Sequence, residues 1–271
     1  MKTKTLIFLL LTTLYNVNIQ AQVGDDLSKF INMGGKIVSA PFNFDSNDIL
    51  NLSLVTAATF GSFFLDNTGR QWALHKNSNF KDDLFSIENS TIVFVGAAVI
   101  GTYGYGLIDK NNKIRTIGLQ LAEATIYAGG INFLFKSLIG RTRPLVNDGH
   151  KNFDPFKFSF DQTSLPSGHS TLAFAFSTVM ADKIDNIFWK VGWYGAASVV
   201  GIGRVYHDKH WVSDVVLGSA IGYFVGRFVL NNQEDNKNAL TETKQNKTSY
   251  SLGLKYFNNQ PIYSLNFGYS F

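Results

Sequence analysis

Apolar residues along this chain gather into six long runs set off by short polar stretches, and the runs carry helical rather than alternating patterning. Asp45 and Ser46 precede the first run, Ile49–Leu65, where a helix cap belongs. Ser90–Ile108 carries no charge over nineteen residues and is the strongest candidate for a membrane span. A tight turn at Asp109–Asn112 leads into a third helix, Ile114–Ile139. Gly140–Leu165, punctuated by Pro144, Gly149 and Pro155, reads as a loop. Three more helices are predicted over about Ser167–Lys183, Phe188–Gly203 and His210–Asn231.

The ends of the chain read differently. Lys2 and Lys4, the apolar Leu6–Leu14 and the polar Asn16–Gln20 follow the order of a secretory signal over residues 1–22, with an uncleaved anchor as the alternative. Residues 23–45 read as an N-terminal segment of loop character, with Gly34, Gly35 and Pro41 as breakers. Asp66–Glu88 is polar and of mixed charge. Residues 232–249 form a polar linker. In residues 250–271, Leu265, Phe267, Tyr269 and Phe271 alternate with polar or small residues, Ser251–Phe257 offers a partner strand, and Asn258–Pro261 suits a turn. The expected fold class is all-α: a six-helix bundle over residues 46–231 with its site at one end, plus a short C-terminal β-hairpin.

Composition narrows the chemistry. The chain has no cysteine, which excludes disulfides, thiolate metal sites and cysteine nucleophiles. Charged residues are scarce at 16% and phenylalanine abundant at 24 residues, yet the mean hydropathy is only +0.01. The membrane question stays open on composition alone. The pI near 9.1 comes without a Lys/Arg block, so nucleic acid is not an expected partner while anionic substrates or lipids are.

Three polar clusters sit at predicted helix ends. Lys136 and Arg143 are seven residues apart and share a face if the helix continues through Gly140; their reading as solvated helix-end cations stands beside one in which they hold an anion. Pro166-Ser167-Gly168-His169 opens the fourth helix, where free N–H groups and the bare Gly168 admit an anion. Ser167 reads equally as a simple N-cap, and His169 would sit beside the anion, placed to pass a proton to a leaving group. Within Gly203–Asp214, His210 and Asp214 are four apart, so the carboxylate can fix the imidazole tautomer and leave the other nitrogen to attack. Arg204 offers a forked donor to phosphate oxygens. His207, His210 and Asp214 also have metal-ligand spacing, but the nearby cations Lys136, Arg143, Arg204 and Arg141 would repel a metal and suit an oxyanion. His207 and Asp208 read as outer residues.

The order K-x6-R-P, P-S-G-H, R-x5-H-x3-D resembles the type 2 phosphatidic acid phosphatase family, whose superfamily includes bacterial class A acid phosphatases and vanadium haloperoxidases. The resemblance implies that His210 is a nucleophile forming a phosphohistidine, oriented by Asp214, with His169 as general acid. It implies that Lys136, Arg143 and Arg204 bind phosphoryl oxygens, with Ser167 and Gly168 adding hydrogen bonds and no metal or other cofactor. Gly203 departs from the serine usual before that arginine. The expected activity is a metal-independent phosphomonoesterase acting on a lipid phosphate such as phosphatidate, phosphatidylglycerophosphate, a polyprenyl pyrophosphate or a lipid A phosphate. Alternatives are a secreted acid phosphatase on soluble esters, a haloperoxidase and a non-catalytic envelope protein. The expected place is the cell envelope, at or in the membrane and facing the periplasm.

Overall fold

The computed structural model describes residues 2–75, 79–156, 159–245, 248–257 and 260–269. Among them are nine α-helices: α1 (Lys2–Ser39), α2 (Ser46–Ser62), α3 (Asp66–Leu74), α4 (Asn79–Phe85), α5 (Thr91–Ile108), α6 (Asn112–Ile139), α7 (Gly168–Asp182), α8 (Ile187–Tyr206) and α9 (Val212–Gln245). The six-helix count is therefore too low. Single turns of 3-10 helix link several of these, including Ser86–Ser90 between α4 and α5.

Local chemistry accounts for four of the nine helix starts. Asp45 accepts from Asn47 and Asp48 N–H while Asp48 returns a bond to the Asp45 N–H, a reciprocal capping box on α2. Asn111 caps α6, Ser167 caps α7, and Asn186 accepts from Phe188 and Trp189 N–H to start α8.

Three regions depart from the sequence reading. Residues 23–39 are not a loop but the second half of α1, and residues 2–22 are helical with them. Buried Asp26 on α1 accepts from Tyr103 at 3.1 Å and pairs with Arg115 at 3.4 Å, and Phe30 stacks on Tyr127 at 4.7 Å. Gly34 marks that packing rather than a break, since a Cβ there would lie 2.7 Å from the Tyr127 hydroxyl. Asp66–Glu88 folds as α3, α4 and the Ser86–Ser90 turn because its carboxylates find buried partners, described below. Residues 232–245, read as a linker, continue α9; their Gln, Glu, Lys, Ala and Leu content favours helix.

The chain divides into two units, residues 1–229 and 230–271. In the first, α5 packs on α6, α6 on α7 and α7 on α8, with small residues such as Ala173, Ala175 and Ala197 at the buried contacts. Ser46–Leu74, Lys81–Ile108 and Val212–Gln233 are long and apolar enough to cross a membrane. Their outward side chains, including Phe60, Phe64, Val93 and Ile100, stay exposed, as lipid-facing residues do. In the second unit, β1 (Thr248–Phe257) pairs antiparallel with β2 (Gln260–Tyr269), Leu252 opposite Leu265. Gln260 and Pro261, read as turn residues, belong to β2; Asn258 and Asn259 lie outside the described residues.

Candidate active site

Gly140 decides how the first cluster is built. It adopts φ +62°, and a Cβ would fall 1.9 Å from the Asp154 carbonyl oxygen, so α6 stops at Ile139. Arg143 therefore does not share a helix face with Lys136. The loop carries it back instead: Arg143 donates to the carbonyls of Phe160 at 2.8 Å, Lys209 at 3.3 Å and Thr163 at 3.5 Å. Its guanidinium lies 3.9 Å from the Phe160 ring centroid. The Lys136 ammonium donates to the same Thr163 carbonyl and to Ser164 at 3.4 Å, so the two cations meet around one acceptor.

The second and third clusters join there. Ser167 is buried, its N–H donates to the Asp214 carbonyl at 2.9 Å, and its hydroxyl accepts from the Ser170 N–H at 3.5 Å as a helix cap and from the Ser170 hydroxyl at 2.9 Å. A Cβ on Gly168 would lie 3.8 Å from Lys136 Cε, so the start of α7 faces that ammonium. His210 lies just before α9, yet its Nδ1 is 3.4 Å from Asp214 Oδ2, the four-residue relation read from the sequence. Asp214 is fully buried. Oδ2 also accepts from the Trp211 N–H at 2.8 Å and from the Ser164 hydroxyl, and Oδ1 accepts from Arg141 at 2.7 Å.

Arg141, Asp66 and Glu88 take roles in this site that were not legible in the sequence. Arg141, grouped above with the anion-facing cations, is fully buried between Asp66 and Asp214 at 2.6 and 2.7 Å and is spent on them. Glu88, fully buried in the turn before α5, accepts from Arg204 Nη1 at 2.5 Å and from Lys209 Nζ at 2.8 Å, and faces His207 Nδ1 at 3.2 Å. Arg204 Nε is buried with no hydrogen-bond partner among the described residues, a donor left over for an anion. Gly203 explains itself in this contact: a Cβ would lie 2.9 Å from the Phe85 carbonyl oxygen and 3.2 Å from Glu88, so a serine there would push the Glu88 turn away. Asp208 turns outward to Arg70 at 3.3 Å. With His207 on Glu88 and His210 on Asp214, no three His, Asp or Glu side chains among the described residues converge as metal ligands.

Burial and crowded positive charge set the protonation states. Burial, then Arg143, lowers Lys136 to about 7. Burial, then Arg204, lowers Arg143 to about 10 and His169 to about 4. His210 is held well below the ordinary histidine range by burial and then by Lys136, Arg204 and Arg143. A neutral imidazole aimed by a carboxylate, set among cations that repel one another, has the electrostatics of an oxyanion pocket with a nitrogen nucleophile.

Lys136, Arg143 and Arg204 crowd positive charge around the buried His210–Asp214 pair, an arrangement suited to an oxyanion. A family model described as the PAP2 superfamily matches residues 117–238. The chain is 30% identical over 174 residues to the lipid A 1-phosphatase of Porphyromonas gingivalis, covering 64% of this chain and 36% of that one. It is 30% identical over 153 residues to the lipid A 1-phosphatase of Rhizobium johnstonii, covering 54% and 60%. The chain thus spans less than two thirds of the length of these relatives. Two solved structures are similar: Aquifex aeolicus LpxE, at TM-score 0.45 and 20% identity over 62% of this chain and 95% of that one, and a PAP2-type phosphatidylglycerolphosphate phosphatase from Bacillus subtilis, at TM-score 0.48 and 21% identity over 69% and 94%.

Proposed function

We propose that this chain is a phosphomonoesterase of the membrane that hydrolyses a lipid phosphate, with the lipid A 1-phosphate as preferred substrate. The observation that carries the chemistry is the buried His210–Asp214 pair beneath Lys136, Arg143 and Arg204. His210, neutral and with Nδ1 turned to Asp214, attacks phosphorus through Nε2 as the ester P–O bond breaks. His169 gives its proton to the departing alkoxide. Water then attacks the phosphohistidine while His169 takes a proton from it, releasing inorganic phosphate and restoring both histidines. Lys136, Arg143 and the spare Arg204 Nε neutralise the phosphoryl oxygens, with the Gly168 N–H at the start of α7, so the charge stabilisation comes from the protein itself. Ser167 supports that helix start as its cap.

His169 must be protonated for the first step. Burial first and the Arg204 charge second hold its pKa down; a phosphate dianion among these groups offsets the cationic field, so substrate binding favours the protonated acid. The exposed apolar faces of the three membrane-length helices and the lipid A 1-phosphatase relatives support a lipid substrate. We place the protein in the cell envelope with the site facing the periplasm. The test is hydrolysis by purified protein in detergent with EDTA, comparing lipid A 1-phosphate, phosphatidylglycerophosphate, phosphatidate and a soluble aryl phosphate. Lipid A 1-phosphate should be cleaved fastest, and His210→Ala should abolish turnover. Full activity in His210→Ala would sink the mechanism; turnover of the aryl phosphate alone would sink the lipid assignment.

A further inference from the structure

Arg141 joins a second carboxylate, Asp66, directly to the Asp214 side chain. Its Nη1 donates to Asp214 at 2.7 Å and to the Ser213 hydroxyl at 2.7 Å; its Nη2 donates to Asp66 at 2.6 Å and to the His150 carbonyl at 2.7 Å. Phe63, Trp211 and Phe153 surround the guanidinium at 4.4, 5.4 and 5.6 Å, which removes water from the contact. Asp66, the first residue of α3, also accepts from the Ser213 N–H at 2.9 Å and from its hydroxyl. Asp66 is thus clamped to the residue preceding Asp214 and linked to Asp214 itself through one cation.

Charge balance gives that link a consequence. His210 is faced by Lys136 from α6, Arg143 from the following loop, Arg204 from α8 and His169 from α7, and on the anionic side it pairs with Asp214. A buried Arg141 paired only with Asp214 would cancel the charge that supports an imidazolium or holds the reactive tautomer. Asp66 supplies a second negative charge, so the Asp66–Arg141–Asp214 triad keeps a net charge of −1 behind His210.

We propose that Asp66 is a positioning residue for the reaction: by neutralising Arg141 it leaves the charge and orientation of Asp214 to His210. This rests on the phosphohistidine reading above. Asp66 touches neither substrate nor reacting atoms; it acts through Arg141. Removing its charge lowers the basicity of His210, because a nearby anion stabilises the protonated ring.

The test is Asp66→Asn, which keeps the shape and removes the charge. kcat should fall by about 10- to 100-fold, the range found when a hydrogen-bonded support of a site residue is lost, with little change in KM. The acid limb of kcat/KM, which reports the free enzyme, should move to lower pH. Arg141→Gln should move it to higher pH, and the double variant Asp66→Asn/Arg141→Gln should return it towards wild type, since the two buried charges leave together. The double variant is read if Asp66→Asn alone does not fold. An acid limb unmoved in folded Asp66→Asn, whatever happens to kcat, overturns the proposal and leaves a merely structural clamp; so does a double variant whose limb stays with Arg141→Gln. The His210 titration in 15N-histidine-labelled protein should show the same order without reference to turnover. Loss of that order counts against Asp66 alone, whereas a wild type that turns over no phosphate ester counts against the function.

Discussion

Arg204 donates to the fully buried Glu88 carboxylate at 2.5 Å across a gap that exists only because residue 203 is glycine. Two predictions follow from that contact. Gly203→Ser restores the side chain usual in the family but sets its Cβ 2.9 Å from the Phe85 carbonyl. Overpacking of this kind costs about 1–3 kcal/mol. A lower Tm and lower activity are expected, the reverse of a gain from an added phosphate hydrogen bond.

Glu88→Gln tests the other side of the pair. It leaves Arg204 and Lys209 without their buried counter-charge, and breaking such a pair costs roughly 3–5 kcal/mol. The same change frees both cations for the ligand. The variant should melt earlier than wild type yet bind inorganic phosphate more tightly, measured as the phosphate concentration that protects against thermal unfolding. Weaker phosphate binding would show that Glu88 holds Arg204 in its working position rather than competing for it.

Stability should fall in mild acid. His169 is lowered to about 4 and His210 is held well below the ordinary histidine value of 6.5 that applies in the unfolded chain. Between these values the unfolded chain binds more protons than the folded one. The stabilisation is complete above pH 6.5 and is lost as pH drops towards 4. Inorganic phosphate should blunt the loss, because an anion favours the protonated rings. Tm measured from pH 8 to pH 4.5, with and without phosphate, checks both signs.

His169→Ala should be sensitive to the leaving group. General acid catalysis contributes about 10²–10⁴-fold when the leaving alkoxide is a strong base. The variant should lose that much on a lipid phosphate and far less on an aryl phosphate, whose phenolate leaves without a proton. Equal losses on both would show that His169 binds phosphate rather than donating to the leaving group.

The orientation is open to a chemical test because the chain has no cysteine. Lys151 is exposed on the loop that carries Arg141 and Arg143, and Asp109 is exposed at the end of the membrane-length Lys81–Ile108 segment away from Glu88. In intact cells with permeable outer membranes, Lys151→Cys should react with a membrane-impermeant maleimide, and Asp109→Cys should react only after the inner membrane is opened. The opposite pattern would put the site on the cytoplasmic side.

What the sequence alone determined was local. Lys136, Arg143, His169, Arg204, His210 and Asp214 could be named because each lies near a helix end, and because His210 and Asp214 meet over one turn of chain. The cap at Asp45 announced its helix for the same reason. What only the tertiary structure decided was which charges are spent on each other. Asp66 and Arg141 are 75 residues apart, and Glu88 and Arg204 are 116 apart. In the sequence these acids look like solvated polar residues between apolar runs, and Arg141 looks like one more phosphate-binding cation. Gly34 looked like a break and Gly203 like a missing hydrogen bond, because a glycine's reason is the atom that fills the space where its Cβ would be, and that atom belongs to another helix or turn. Packing brought Asp66 to Arg141 and Glu88 to Arg204, and so divided the charges of the phosphate pocket into those that face the ligand and those that hold the pocket together.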